Sequence, residues 1–198
     1  MKSLFVLLFM TSFLFFSCAD KKEQATPPVS TEKNLFEELR DQTAKNPKDI
    51  EAWYHLSDLY QRSGMHREEA DALQKVISID PQRGYAYMNL GNAYSRLGQY
   101  QEALNSYTKA IKFFPKNPVL YNNLAIACGK LDKTDDEVVA LRKAISLRPR
   151  YSTARYNLGM ALLKSGKRSE ALTQYHELDT FDAGAAAALK KEIDKKGK

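Results

Sequence analysis

The sequence predicts an all-α solenoid, in which one pair of helices is repeated along the chain. The main observation is a ladder of four prolines spaced 34 residues apart: Pro47, Pro81, Pro115 and Pro149. Leucines repeat with the same period, at Leu56, Leu90, Leu124 and Leu158. The alternating apolar and polar pattern of β-strands is absent. A fixed period of this length indicates stacked copies of one supersecondary unit, each too small to bury its apolar face alone.

The second repeat carries the signature of a known family. Its positions are filled by Tyr87, Leu90, Gly91, Tyr94, Gly98, Tyr100, Ala103, Tyr107, Ala110 and Pro115. This pattern resembles the tetratricopeptide repeat, a helix–turn–helix unit with the same 34-residue period. The resemblance implies a right-handed superhelical solenoid in which the first helices of successive pairs form a concave surface.

Several of these positions have a local physical reason. Leu90 and Tyr94 are four residues apart and therefore share one face of the first helix. Gly91 lacks a side chain, which lets the second helix approach closely, and Gly98 suits a turn with left-handed backbone. Pro115 ends the second helix, because proline has no amide donor and restrains the residue before it.

The repeats divide the chain into segments. Four full repeats are expected within 47–182, at about 50–83, 84–117, 118–151 and 152–182. A partial repeat or capping helix precedes them at 31–46. Ala183 stands where a fifth proline would fall, so residues 183–198 are expected to form a capping helix and a basic tail. Such end helices keep a solenoid soluble because their outer faces are polar.

The first and third repeats depart from the family pattern. Glu69 and Glu137 stand where a small alanine is usual, and Asp132 stands where the turn glycine is usual. In the third repeat, Gly129 is expected to bend or loosen the first helix. Cys128 is expected to act as a buried small hydrophobic residue rather than as a reactive thiol.

The amino-terminal 17 residues are expected to form a signal peptide. Lys2 precedes an apolar run from Leu4 to Phe16, which is too short for a spanning helix. The junction at Cys18 resembles a bacterial lipobox, whose cysteine is lipidated and becomes the mature first residue. Acyl chains on Cys18 would anchor the protein to a membrane of the bacterial cell envelope, facing the periplasm. The polar residues 18–30 are expected to form a flexible tether.

A different cleavage is also compatible with this terminus. Ser17 and Ala19 form a small-x-small pattern, and cleavage after Ala19 would release a soluble periplasmic protein. The chain has two cysteines, Cys18 and Cys128. A lipidated Cys18 cannot pair with Cys128, so we expect no disulfide.

No pattern in the sequence indicates catalysis. Gly91 and Gly98 occupy packing and turn positions rather than a phosphate-binding loop, and the three histidines lack the spacing of metal ligands. We therefore expect no enzyme activity, no metal and no cofactor. The net charge of +6 includes five lysines within 190–198. No aromatic-and-basic recognition motif accompanies them, and an exported protein does not meet nucleic acid, so nucleic acid is not an expected partner.

The concave surface implied by the resemblance is the expected binding site. An asparagine ladder, Asn89, Asn123 and Asn157, would lie on it. An amide side chain can bond a peptide backbone through its donors and its acceptor. The alternative is that these asparagines only follow the family consensus and are solvated.

A basic ladder repeats near the carboxyl ends of the first helices, at Arg62, Arg96, Lys130 and Lys164. Cations there complement the helix dipole, and the functional alternative is that they attract an acidic segment. The full predicted binding surface consists of Tyr54, His55, Asp58, Met88, Asn89, Asn92, Arg96, Asn122, Asn123, Lys130, Tyr156, Asn157, Met160 and Lys164.

These observations favour an interaction protein over an enzyme. We expect a membrane-tethered scaffold that binds a peptide segment or a protein partner on the concave surface, in the assembly of envelope complexes. Two alternatives are a module that self-associates into a homo-oligomer through an exposed end of the solenoid, and a pilotin-like assembly factor for a secretion or pilus pore.

Overall fold

The computed structural model describes residues 29–195, which form ten helices and no strands. The helices are α1 (Val29–Lys45), α2 (Ile50–Arg62), α3 (His66–Ile79), α4 (Gly84–Arg96), α5 (Tyr100–Phe113), α6 (Pro118–Lys130), α7 (Thr134–Leu147), α8 (Ser152–Lys164), α9 (Arg168–Asp179) and α10 (Ala183–Lys195). The expected signal peptide, Cys18, nearly all of the tether and the last three residues of the basic tail lie outside the described residues.

The helices pack in the order in which they follow along the chain. Four pairs, α2–α3, α4–α5, α6–α7 and α8–α9, stack side by side, and each second helix also packs on the first helix of the next pair. At the two ends, α1 packs on α2, and α10 packs on both α8 and α9. This arrangement confirms the predicted all-α solenoid. No helix of the described residues is long and apolar enough to span a membrane.

The proline ladder lies at the connections between repeats. In three of the four connections the side chain six residues after the proline donates a hydrogen bond to the proline carbonyl. These bonds join Trp53 Nε1 to Pro47 at 3.1 Å, Tyr121 Oη to Pro115 at 3.1 Å and Arg155 Nε to Pro149 at 2.8 Å. Each bond fixes the first turn of a new repeat against the end of the preceding one.

Within a helix pair, the size of the residue at the helix crossing is related to the size of the side chain that faces it. A Cβ atom at Gly91 would lie 2.6 Å from the Tyr107 ring. Tyr107 is only 1% exposed and is the bulkiest of the fully buried side chains. At the equivalent position the third repeat has Ala125, and there the residue that corresponds to Tyr107 is the smaller Leu141. The size of the crossing residue therefore falls where the facing side chain is larger.

The turns inside the pairs all use left-handed backbone at one position. Three of these residues are glycines, Gly64, Gly98 and Gly166, with φ of 70°, 74° and 73°. In the third repeat the position is occupied by Asp132, with φ of 56°. A side chain in this conformation is strained, whereas glycine is not.

Asp132→Gly is therefore expected to raise the free energy of unfolding by about 0.5–1 kcal/mol, after the entropy of the added glycine is subtracted. The ion pair that the change removes joins exposed side chains and contributes little. Urea denaturation measures the effect. Asp135→Gly, at an exposed position in the first turn of α7, is the control and is expected to lower stability. A destabilised Asp132→Gly variant would contradict the argument.

The helix α10 covers the end of the core. Leu189 and Ile193 are fully buried on the last repeat. Gly159 leaves the space that Leu189 fills, since a Cβ there would lie 2.5 Å from Leu189 Cδ2. Asp182 caps the start of α10 by accepting a hydrogen bond from the Ala185 amide at 3.0 Å. The predicted capping helix is thus part of the core.

Candidate functional site

Three clefts follow one another along the side of the solenoid formed by the first helices, and we call this row the groove. Cleft 1, of about 320 Å³, is lined by Tyr54, His55, Ser57, Asp58, Gln61, Glu69, Leu73 and Asn89. Cleft 2, of about 350 Å³, is lined by Asn92, Ser95, Arg96, Tyr107, Asn123 and Ile126. Cleft 3, of about 410 Å³, is lined by Ile126, Gly129, Lys130, Glu137, Asn157, Met160, Ala161 and Lys164.

The clefts are built alike because the repeats are alike. Two successive first helices form the walls of each cleft, and the second helix between them forms the floor. The floor of cleft 1 carries Glu69, that of cleft 2 carries Tyr107, and that of cleft 3 carries Glu137. Ile126 lines both cleft 2 and cleft 3, so the groove is continuous there.

Hydrogen bonds between first helices cross the groove at every junction between full repeats. Each member of the asparagine ladder donates its side-chain amide to the preceding repeat. The bonds join Asn89 Nδ2 to Tyr54 Oη at 3.1 Å, Asn123 Nδ2 to Asn92 Oδ1 at 3.2 Å and Asn157 Nδ2 to Asn122 Oδ1 at 3.1 Å. The ladder therefore holds neighbouring repeats together, a role the sequence did not reveal.

These bonds change what the asparagines can offer to a partner. One of the two amide donors of each is engaged at the junction, which leaves the second N–H of Asn89 and of Asn157 for a peptide carbonyl. The side-chain oxygens of Asn89 and Asn157 accept no hydrogen bond from the described residues and are left for a donor on a ligand. Asn89 and Asn157 can therefore offer both an acceptor and a donor to a ligand.

Most of the predicted binding residues line the groove. They are Tyr54, His55, Asp58, Asn89, Asn92, Arg96, Asn123, Lys130, Asn157, Met160 and Lys164. The other three do not line it. Asn122 is only 3% exposed and serves as the acceptor for Asn157, which places it below the surface. Met88 and Tyr156 are half-buried and pack against the core.

The basic ladder ends the four first helices, as its predicted relation to the helix dipole requires. Three members also form ion pairs: Arg62 with Asp58 at 2.9 Å, Arg96 with Glu69 at 3.4 Å and Lys164 with Asp132 at 2.6 Å. Lys130 is exposed and forms no ion pair within the described residues. Most of the ladder is therefore neutralised by the protein itself.

Glu69 is a buried carboxylate at the floor of cleft 1, only 1% exposed. Its two oxygens are held separately, one by His66 Nδ1 at 3.0 Å and the other by Arg96 at 3.4 Å. Arg96 also lines cleft 2, so this ion pair links the floor of one cleft to the wall of the next. Burial of this charge depends on both partners.

Glu137 occupies the equivalent position at the floor of cleft 3, but its surroundings differ. Its carboxylate lies over Gly129, where a Cβ would come within 2.7 Å of it, and it forms no hydrogen bond or ion pair within the described residues. Burial raises the pKa of the Glu137 carboxyl, and the nearby Lys164 ammonium partly offsets this rise in pKa. α6 continues through Gly129 to Lys130 without interruption.

The two glutamates were missed as site residues by sequence reasoning, although a signal was present. Glu69 and Glu137 occupy the alanine slot in the first and third repeats only, whereas the second and fourth repeats keep Ala103 and Ala171. A charged residue in a slot that faces the helix crossing is costly unless a space and partners exist for it. Such an alternation marks the repeats whose cleft floor carries a charge.

The site offers hydrogen-bonding and ion-pairing groups rather than reactive ones. Cys128 is buried, as predicted, and burial raises the pKa of its thiol, which keeps it protonated and unreactive. In the part of the chain that the structure describes, no group of three or more His, Cys, Asp or Glu side chains is placed to hold a metal ion. The arrangement suits recognition of a surface or segment.

Several solved structures are similar to the chain. A crystal structure of MamA matches with a TM-score of 0.71 and 21% identity, over 84% of this chain and 94% of that chain. MamA from Desulfovibrio magneticus RS-1 matches with a TM-score of 0.70 and 17% identity, over 82% and 87%. YrrB, described as a TPR protein with an unusual peptide-binding site, matches with a TM-score of 0.65 and 24% identity, over 81% and 87%. At these identities the likeness shows the shared fold.

Sequence families give the more specific result. Among curated proteins, none matches the chain significantly. Three family models, each described as tetratricopeptide repeat, match residues 50–83, 84–117 and 106–138. With the stacked helix pairs of the described residues, these matches show that the chain belongs to the tetratricopeptide repeat family.

Proposed function

We propose that the chain is a scaffold that binds an extended segment of a partner protein along the groove. The observation that carries this proposal is the row of three similar clefts, one at each junction between full repeats. An extended peptide also presents its groups at regular intervals, so successive clefts can receive successive parts of it. The fold that the chain shares with YrrB, a TPR protein with a peptide-binding site, supports the proposal.

The groove has the mixed chemistry that a peptide requires. Ile126 is 38% exposed and Met160 lines cleft 3, so both offer apolar contact to side chains. The free oxygens of Asn89 and Asn157 can accept hydrogen bonds from backbone amides of the peptide. The polar groups fix orientation, and the apolar ones contribute affinity.

Ile126→Gln is expected to weaken binding of groove-selected peptides about tenfold, since it removes the apolar contact shared by two clefts. The probe is a peptide obtained by screening the full chain against a synthetic library of random nonapeptides, with affinity measured by fluorescence anisotropy. Val139→Gln is the matched control, because Val139 is a β-branched residue of the same repeat, is 68% exposed and lines none of the three clefts. Equal loss of affinity in both variants would refute the groove as the binding site.

A triple replacement of the asparagine ladder is a poorer test. Each asparagine bonds the preceding repeat, and the loss of each bond costs about 1 kcal/mol of stability. Such a variant would lose binding and stability together.

We propose further that Cys18 is lipidated and tethers the scaffold to a membrane of the bacterial envelope, where it helps to assemble envelope complexes. The support is the apolar run that ends at Cys18 and the polar segment that follows it. Self-association through an exposed end of the solenoid and a pilotin-like role at a secretion or pilus pore are the alternatives. Light scattering over a dilution series separates a self-associating chain from a monomeric scaffold.

Cys18→Ala is expected to abolish lipid incorporation and to leave the protein in the soluble fraction or uncleaved. Metabolic labelling with a radioactive fatty acid and mass analysis of the mature amino terminus measure the effect. Cys128→Ala, at a buried position, is the control and is expected to keep the label. A mature terminus at residue 20 in the wild type would instead establish cleavage after Ala19 and a soluble periplasmic protein.

A further inference from the structure

We propose that cleft 3 is a subsite for a lysine or arginine side chain of the bound segment, with the Glu137 carboxylate as its ion-pair partner. This inference rests on the proposed function and names the chemistry that the groove selects. It assigns a binding role to a residue that departs from the family pattern.

Glu137 lies where a guest side chain can reach it. Its carboxylate stands at the floor of cleft 3, half-buried, with no hydrogen bond or ion pair from the described residues. A half-buried carboxylate that has no donor from the protein can accept a charge-assisted hydrogen bond from a ligand. Ile126 and Met160 line the same cleft and can pack against the aliphatic stem of a lysine or arginine.

Glu69 and Glu137 occupy equivalent positions but have different partners. Glu69 occupies the same slot two repeats earlier, and there the protein itself supplies both donors, His66 and Arg96. In the third repeat the position of His66 is taken by Thr134, and the position of Arg96 is taken by Lys164. Lys164 bonds Asp132 at 2.6 Å instead of Glu137. Lys164 therefore acts on Glu137 as a nearby charge and not as a bonded partner.

The positive and negative side chains in and beside cleft 3 are equal in number. Lys130 and Lys164 line cleft 3 and are exposed, and Asp132 pairs with Lys164 at its edge. These two cations and the two carboxylates sum to zero, so a guest cation meets no net positive charge. Glu137 is more deeply buried than either lysine, and buried interactions are screened less by water and salt. A guest cation that reaches the floor of the cleft therefore meets Glu137 with less screening than it meets either lysine.

The test compares peptide pools that differ in one residue. The full chain is incubated with random nonapeptide pools in which one position is fixed as lysine, arginine, norleucine or glutamate, and that position is moved along the peptide. The wild type is expected to prefer the lysine and arginine pools over norleucine by about tenfold at one position. Glu137→Gln is expected to lose this preference and to keep binding of the other pools.

Glu137→Ala is the second variant and guards against a folding defect. Alanine occupies this slot in the second and fourth repeats, so the variant is expected to fold as well as the wild type. A cationic preference that survives in both variants would overturn the inference, and so would a preference for the glutamate pool, which would assign the cleft to Lys130. Binding of all pools without preference would overturn the subsite and leave the proposed function standing. A chain that binds no pool would overturn both.

Discussion

Ending the chain at Asp182, and so removing α10, is expected to cost at least about 4 kcal/mol of folding free energy, because the fully buried side chains of Leu189 and Ile193 are lost together. The truncation also removes the cover from α8 and α9, whose Leu162 and Leu178 share a buried cluster with Leu189 and Ile193. Solenoids without a polar end helix expose apolar surface and aggregate. Size-exclusion chromatography and urea denaturation measure both effects.

Two point variants separate packing from chain length. Leu189→Ala leaves the length unchanged and is expected to cost about 3 kcal/mol, since the space over Gly159 is left empty. Lys191→Ala, on the exposed face of α10, is expected to change stability by less than about 0.5 kcal/mol. A truncated chain that stays monomeric and as stable as the wild type would show that the last repeat needs no cover.

Gly91→Ala is expected to lower the free energy of unfolding by about 2–3 kcal/mol, despite the higher helix propensity of alanine. The added methyl group would lie 2.6 Å from the ring of Tyr107, so the buried ring or the helix must shift to admit it. Urea denaturation with circular dichroism measures the loss. An unchanged or raised stability would show that the helix pair can separate without cost.

The same contact predicts a rescue. Tyr107→Leu is expected to recover most of the stability lost in Gly91→Ala, because the third repeat folds with Ala125 and Leu141 at these two positions. Tyr107→Leu in the wild-type background is instead expected to destabilise by leaving a gap over Gly91. The double variant would lose the hydrogen bond from Tyr107 to Asn92 Oδ1, 2.9 Å long, and with it a support of cleft 2.

The sequence was sufficient for the fold because the determining features are local and periodic. Pro115 ends a helix, Gly98 forms a left-handed turn, and Leu90 and Tyr94 share a face through contacts within one repeat. The 34-residue period then fixes how the units stack. The capping helix followed from the same period, because Ala183 breaks it.

The site was less accessible to sequence reasoning because its contacts join different repeats. Asn123 bonds Asn92, whereas Asn157 bonds Asn122, so the same ladder position has different partners. Asn122 and Asn123 are adjacent, yet one is buried and the other lines cleft 2, since each step rotates about 100° around a helix. Lys164 bonds Asp132 and not Glu137, a choice of partner that no local pattern predicts.

The bonds between first helices also oppose any separation of neighbouring repeats. They lie on one side of the stack, at each of the three junctions between full repeats. Opening the stack on that side must therefore lengthen all three bonds. A partner that replaced one of these bonds would loosen the junction between the two repeats that it joins. The asparagines that line the three clefts are therefore also the residues that hold neighbouring repeats together.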